Sequence, residues 1–180
     1  MNNATKTFFF CISLCLASNA FAFKSSDAIN VNITGEIVAP SCNVDVTDTV
    51  QLGQYLRSDL SIPGANSGLV TLDINLSGCS DQASLATVAF SGTPYSADPA
   101  FASAIYANDI TDGTQDIGLQ LFNLDGKPLT NLANGISYSF PINAETGTGT
   151  LKLASRLYSP HGAPTAGDFK ATVTLNFSYQ

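Results

Sequence analysis

The chain has 180 residues and a net charge of −7, and only 12% of its residues are charged, about half the ~25% usual in globular proteins. Seven cations in the whole chain exclude a nucleic-acid backbone binder, and a single histidine, His161, excludes multi-histidine metal sites. With 14 glycines and 8 prolines the composition is neither collagenous nor low-complexity, and the length suits one domain with its own core.

In chain order, the first segment is Met1–Ala22. It carries Lys6, an apolar run from Phe8 to Ala17 and the small-x-small ending Ala20-Phe21-Ala22. This tripartite layout is expected of a secretory signal peptide, the run being too short to span a bilayer. Removal would leave 158 residues and a charge of −8, because Lys6 departs. No later stretch approaches the ~18 consecutive apolar residues of a spanning helix, so no membrane insertion is expected. Cys11 and Cys15 leave with the leader. The remaining pair, Cys42 and Cys79, is expected to form one disulfide in an oxidising compartment. Closing that 37-residue separation would stabilise the fold by roughly 4 kcal/mol in the chain-entropy model. A redox or metal-binding thiol pair is the rival reading, but the chain has no Cys-x-x-Cys spacing.

Beyond the leader the dominant hydrophobic period is two. Ile29, Val31 and Ile33 alternate with Asn30, Asn32 and Thr34. Val70, Leu72, Ile74 and Leu76 alternate with Thr71, Asp73 and Asn75, which places Asp73 on the outward face. Further strands are expected at 86–91, 117–123, 136–140 and 151–159. Near the end Ala171, Val173, Leu175, Phe177 and Tyr179 alternate with Thr172, Thr174, Asn176 and Ser178. Such alternation, rich in β-branched and aromatic residues, marks strands with one face on a core. Turn residues punctuate them: Ser77-Gly78, Ser91-Gly92-Thr93-Pro94, Asp125-Gly126 as a hairpin tip, and the run from Ser159 to Pro164. The segment 98–107 could hold a short turn of helix. The pattern predicts an all-β sandwich of immunoglobulin-like size.

Two features of this pattern do not match a complete immunoglobulin-like sandwich. The last strand, 169–179, is followed only by Gln180, leaving no residues for a seventh strand. The alternating stretch 29–33, by contrast, precedes the point near Gly35 where the domain proper begins. One reading makes 29–38 the first strand of a self-contained sandwich. The other makes residues 23–34 an extension that completes a different molecule. A sheet short of a strand exposes unpaired backbone and an apolar groove, and a strand from a neighbour supplies both ladder bonds and alternating apolar side chains. Such a head-to-tail contact does not close on itself and builds filaments.

The residues carrying a family resemblance are Ile33-Thr34-Gly35-Glu36-Ile37-Val38-Ala39-Pro40-Ser41-Cys42-Asn43-Val44, Leu52-Gly53, Leu76-Ser77-Gly78-Cys79, Val88-Ala89-Phe90-Ser91-Gly92, Ile117-Gly118-Leu119-Gln120-Leu121 and the ending from Ala171 to Gln180, with tyrosine in the penultimate place. In this order they resemble the subunits of chaperone–usher fimbriae (pili), type 1 fimbriae in particular. The resemblance implies an incomplete immunoglobulin-like sandwich lacking its last strand, with domain boundaries at 1–22 (signal peptide), 23–34 (donor strand) and 35–180 (fimbrial domain). It implies a structural, non-enzymatic subunit that contributes to adhesion, exported through the periplasm to the surface fimbrium. The partners implied are a periplasmic chaperone, an outer-membrane usher and neighbouring subunits, with no nucleic acid and no cofactor. By the same resemblance Ile29, Val31 and Ile33 are the groove-filling donor positions and Cys42 and Cys79 the family disulfide. Ala171, Val173, Leu175, Phe177 and Tyr179 edge the acceptor groove and contact the chaperone, with the Gln180 carboxylate as anchor. Many rod subunits have glycine where this chain has Ala28-Ile29, which leans toward a minor or adaptor position. A single-domain adhesin gripping a host glycan or protein is the alternative.

Other chemistry finds little support. Asp109, Asp112 and Asp116 lack the regular spacing of a calcium loop and read as solvated loop carboxylates. His161 lies in Pro160-His161-Gly162 and no Gly-x-Ser-x-Gly elbow occurs, so a Ser-His-Asp hydrolase is not expected. The Asn-x-Ser/Thr triplets at Asn32, Asn75 and Asn176 fall within strands. The six tyrosines read as scattered core and interface residues rather than a sugar-stacking face.

Overall fold

The structure, a computed structural model, describes residues 34, 39, 41–126 and 128–180. The leader, the donor positions Ile29, Val31 and Ile33, and all of the candidate strand 29–38 except Thr34 lie outside these residues. Strands β1 (Asn43–Asp45), β2 (Val70–Ser77), β3 (Leu85–Gly92), β4 (Gly118–Asn123), β5 (Thr130–Asn131), β6 (Ser137–Pro141), β7 (Gly149–Tyr158) and β8 (Val173–Tyr179) follow one another. They form two antiparallel sheets, one in the order β1-β2-β7-β4-β5 and the other β6-β3-β8. The fold is the all-β sandwich that the alternation predicts. Among the described residues no helix is long and apolar enough to cross a membrane.

The side-chain period explains the core. Ile74 and Leu76 of β2, Ala86, Val88 and Phe90 of β3, Leu119 and Leu121 of β4, Phe140 of β6, and Leu151 and Leu153 of β7 form one buried cluster between the sheets. The alternate residues Thr71, Asp73 and Asn75 of β2 are exposed. β4 departs from this pattern, being buried on both faces. Its outer side chains are capped by Arg156, whose guanidinium lies 5.0 Å from the Phe122 ring centre and donates to Gln120 Oε1 at 2.8 Å and Asn66 Oδ1 at 3.0 Å. Gly118 lets the backbone of Tyr106 approach β4 closely, because a Cβ there would stand 2.7 Å from the Tyr106 carbonyl oxygen. Tyr106 itself is buried and donates its hydroxyl to the Leu132 carbonyl at 2.7 Å.

The Asp125-Gly126 tip joins β4 to the two-residue β5 as a hairpin, with Phe122 opposite Asn131. The helical turn expected within 98–107 is only a 3-10 turn, Pro99–Phe101, opened by the Asp98 carboxylate accepting from the Ala100 amide. The last strand starts at Val173 rather than Phe169 or Ala171. Its partner β3 ends at Gly92, opposite Val173, so Ala171 has no ladder partner.

Cys42 and Cys79 form the expected disulfide. It sits beside the Asn43–Ser77 pair that opens the β1–β2 ladder. β1 has three residues, all exposed, and buries little of its own, so the covalent link is what secures it. Replacing both cysteines by serine should release β1 first and cost roughly 4 kcal/mol overall. Hydrogen exchange would then show early loss of protection at 43–45, with β2 and β7 protected until global unfolding.

Candidate functional site

Among the described residues, β8 is an edge strand of the three-stranded sheet, paired only with β3. The register aligns inward side chains in rows: Phe140, Ala86 and Tyr179; Tyr138, Val88 and Phe177; then Phe90 and Leu175. On the central strand these side chains are sealed, Ala86 and Val88 at 0% exposure and Phe90 at 1%. On β8 the same rows are only half-buried at Val173, Leu175, Phe177 and Tyr179, while Thr174, Asn176 and Ser178 face solvent. All four half-buried residues, with Phe169 and Ala171, pack on the core cluster, and Leu72 of β2, with Leu52 and Cys42 from outside the strands, does the same. The Phe177 and Tyr179 rings stack at 6.4 Å, and burial pushes the Tyr179 phenol above its ordinary range.

The backbone is open at the same edge. Gln180 and Leu85 exchange N–H···O bonds, each at 2.9 Å. In an antiparallel ladder bonded pairs alternate with non-bonded ones. The residues whose amides and carbonyls turn toward β3 are therefore Ser178, Asn176 and Thr174. The N–H and C=O groups of Val173, Leu175, Phe177 and Tyr179 point the other way, where no strand pairs with β8 among the described residues. One set of residues thus offers apolar side chains to the interior and, toward the edge, backbone groups that no other described strand pairs. The Gln180 backbone oxygen also accepts from the Ser84 amide at 2.6 Å, fixing the end of the strand.

Among the described residues the facing sheet is also partly unpaired. β1 covers β2 only from Asn75 to Ser77, and beside 70–73 lies an open cleft of about 490 Å³ lined also by Thr47, Thr49, Val50 and Gln51.

One polar constellation departs from the sequence reading. Asp116 is not a solvated loop carboxylate: its side chain is 16% exposed and its Oδ1 lies 2.6 Å from His161 Nδ1. Asp109 and Asp112 do not join it. Ser159 donates to the Asp116 backbone carbonyl and accepts from the Gly162 amide, so it is no nucleophile activated by His161. Among the described residues no group of three or more His, Cys, Asp or Glu could hold a metal. The sequence signal for this constellation was weak, since its members are 45 and 63 positions apart.

The family model for fimbrial protein matches residues 31–180. The chain belongs to the fimbrial protein family. It is 33% identical over 175 residues to the type-1 fimbrial protein, A chain, of Escherichia coli K12, covering 93% of each chain. It is 31% identical over 179 residues to an Escherichia coli type-1 fimbrial protein, C chain, covering 96% of this chain and 94% of that one. At 27% identity it is similar to the S-fimbrial adhesin protein SfaS of Escherichia coli, over 92% and 91% of the two chains. Among solved structures, the P pilus rod subunit PapA matches with a TM-score of 0.61 at 20% identity, over 77% of this chain and 99% of that one; this likeness speaks to the fold. Subunits of this family are structural proteins, not enzymes.

The uneven burial of the rows predicts an uneven response to truncation. Phe90→Ala should cost about 3–5 kcal/mol, and Phe177→Ala in the same full chain about half as much. Equal losses in urea denaturation would show that β8 is as well covered as β3.

Proposed function

We propose that this fimbrial subunit polymerises by donor-strand exchange, accepting a neighbour's strand along β8 and donating its own residues 23–34 to the next subunit. The observation that supports this most directly is the coincidence on Val173, Leu175, Phe177 and Tyr179 of half-buried apolar side chains with backbone groups that no other described strand pairs. An incoming strand would bond to those groups and lay alternate side chains into the uncovered rows. Ile29, Val31 and Ile33 have the required spacing of two. Burying them would contribute roughly 5–9 kcal/mol, at ~1.5–3 kcal/mol each, before ordering costs.

In the same reading the periplasmic chaperone lends a strand to β8, with Gln180 as its anchor, and the outer-membrane usher exchanges it for a neighbour's. An exposed edge beside apolar side chains is an aggregation hazard, which a lent strand would remove during export to the cell surface. A minor or adaptor place in the fibre rests on Ala28-Ile29 alone. The likeness to an S-fimbrial adhesin protein favours a second reading, a single-domain adhesin for a host glycan or protein. Binding on a glycan array by a strand-complemented monomer would support that reading, whereas a purely structural subunit gives none.

Deleting 23–34 from the exported chain should leave a subunit that is still captured by its chaperone but ends the fibre at its own position. Electron microscopy and co-purification check this, and normal incorporation of later subunits would overturn it.

A further inference from the structure

His161 lies three residues past the end of β7, and its imidazole lies between two carboxylates. Nδ1 is 2.6 Å from Asp116 Oδ1 and Nε2 is 3.0 Å from Asp98 Oδ2. A neutral imidazole has one N–H, so it can donate to only one of these oxygens and turns a lone pair toward the other. The imidazolium donates to both. Among the described residues these two contacts are the only ion pairs.

Three separate parts of the chain meet here. Asp98 opens the 3-10 turn Pro99–Phe101, Asp116 precedes β4, and His161 begins the connection from β7 to β8. Each carboxylate is held independently. Asp98 Oδ1 accepts from the Ala100 amide at 2.9 Å. Asp116 Oδ2 accepts from the Ala163 amide at 2.9 Å, and its Oδ1 also accepts from the Tyr95 hydroxyl at 3.2 Å. Asp116 adopts a φ of +54°, a left-handed conformation that few residues with a side chain take up. Phe101 packs edge-on against the imidazole at 5.7 Å and, beyond it, lies 6.1 Å from Tyr158. The titratable groups around His161 are therefore Asp98 and Asp116, with Tyr95 behind Asp116 and Tyr158 behind Phe101. The backbone of 61–63, against which Gly162 packs, brings no charge. Tyr95 is pushed up to about 12, chiefly by burial, and stays neutral.

The connection that His161 begins leads to the open edge. Farther along, Thr165 bonds to Thr114 and Gln115, the Asp168 carbonyl accepts from the Thr114 amide and Asn108, and Lys170 exchanges bonds with Asn108 and Asp109. These are neutral or backbone bonds, and His161 is the member of this strap whose charge changes near neutrality.

We propose that His161 is a proton-operated clasp, which in its charged form ties the Asp98 turn and Asp116 to the β7–β8 connection and so holds the approach to β8 most firmly in mildly acidic surroundings. The bonds to Asp116 and then Asp98 raise the His161 pKa above its ordinary 6.5. Its contribution is complete below that ordinary value and is lost as pH rises through the raised one. Asp98 is held below its ordinary 3.8 by the Ala100 amide and by His161. At Asp116 burial pushes upward, but hydrogen bonds from His161, Ala163 and Tyr95 prevail and hold it low. Both carboxylates contribute fully above the ordinary value and lose that contribution as pH falls through their lowered ones. The clasp is thus complete between roughly pH 4 and 6.5.

Because His161 is the only histidine, its imidazole proton signals in an NMR titration of the full chain belong to one residue. The wild-type midpoint should lie above 6.5, and Asp98→Asn and Asp116→Asn should each lower it. The melting temperature should fall between pH 6 and 8.5 in the wild type and stay level in His161→Gln. Asp98 is exposed enough that Asp98→Asn should fold even where Asp116→Asn does not. A midpoint at or below 6.5, a midpoint indifferent to Asp98→Asn, or an unchanged melting slope in His161→Gln would overturn the proposal.

Discussion

The architecture depends on how apolar side chains are covered across the three-stranded sheet. β3 is flanked on both sides, and its Ala86, Val88 and Phe90 are shut away from water. β8 continues the same rows but among the described residues has a partner on one side only, and Val173, Leu175, Phe177 and Tyr179 are half-buried. Hydrophobic burial scales with the area removed from water, and an unpaired strand edge is a template for another chain. Both deficits fall on the same four residues because side-chain direction and backbone bonding share a period of two along a strand. The proposed incoming strand would satisfy them together.

Both margins of this opening are braced by bonds between residues far apart in the sequence. On the five-stranded sheet the Cys42–Cys79 disulfide fixes the short β1 beside β2. On the other sheet, the strap from 159 to 170 is tied to 108–116 by a run of hydrogen bonds before the chain enters β8. A margin held in place before binding leaves less ordering to be done when a partner arrives. The His161 clasp belongs to this bracing rather than to the opening. It joins the strap to Asp116 and Asp98, at a distance from the strand edge along the chain, so a change in it would leave the residues proposed to meet a partner unaltered.

Much of the fold was legible in the sequence. The phases of β2 and β8 follow from the alternation at 69–76 and 171–179, and the burial pattern matches them, with Asp73 outside and Ile74 inside. The hairpin at Asp125-Gly126 and the disulfide were equally readable, one from turn chemistry and the other from the cysteine count. The errors lie where partners are remote. The last strand begins at Val173 because β3 stops at Gly92, and no local feature near Ala171 shows this. β4 is buried on its outer face because Arg156 lies over it, whereas alternation alone would have left Gln120 and Phe122 in solvent. Asp116 reads as a loop carboxylate among Asp109 and Asp112 until folding brings His161 to it.

By itself the sequence determined which side of each strand would be apolar, since side-chain direction is a matter of odd and even positions. It also determined family membership, through motifs spread along the whole chain. Only the tertiary structure decided which edge has no partner among the described residues, which backbone groups it presents and which acids surround the single histidine. Those depend on sheet order and on loops meeting at one end of the sandwich, contacts between residues 45 to 63 positions apart that no local pattern encodes.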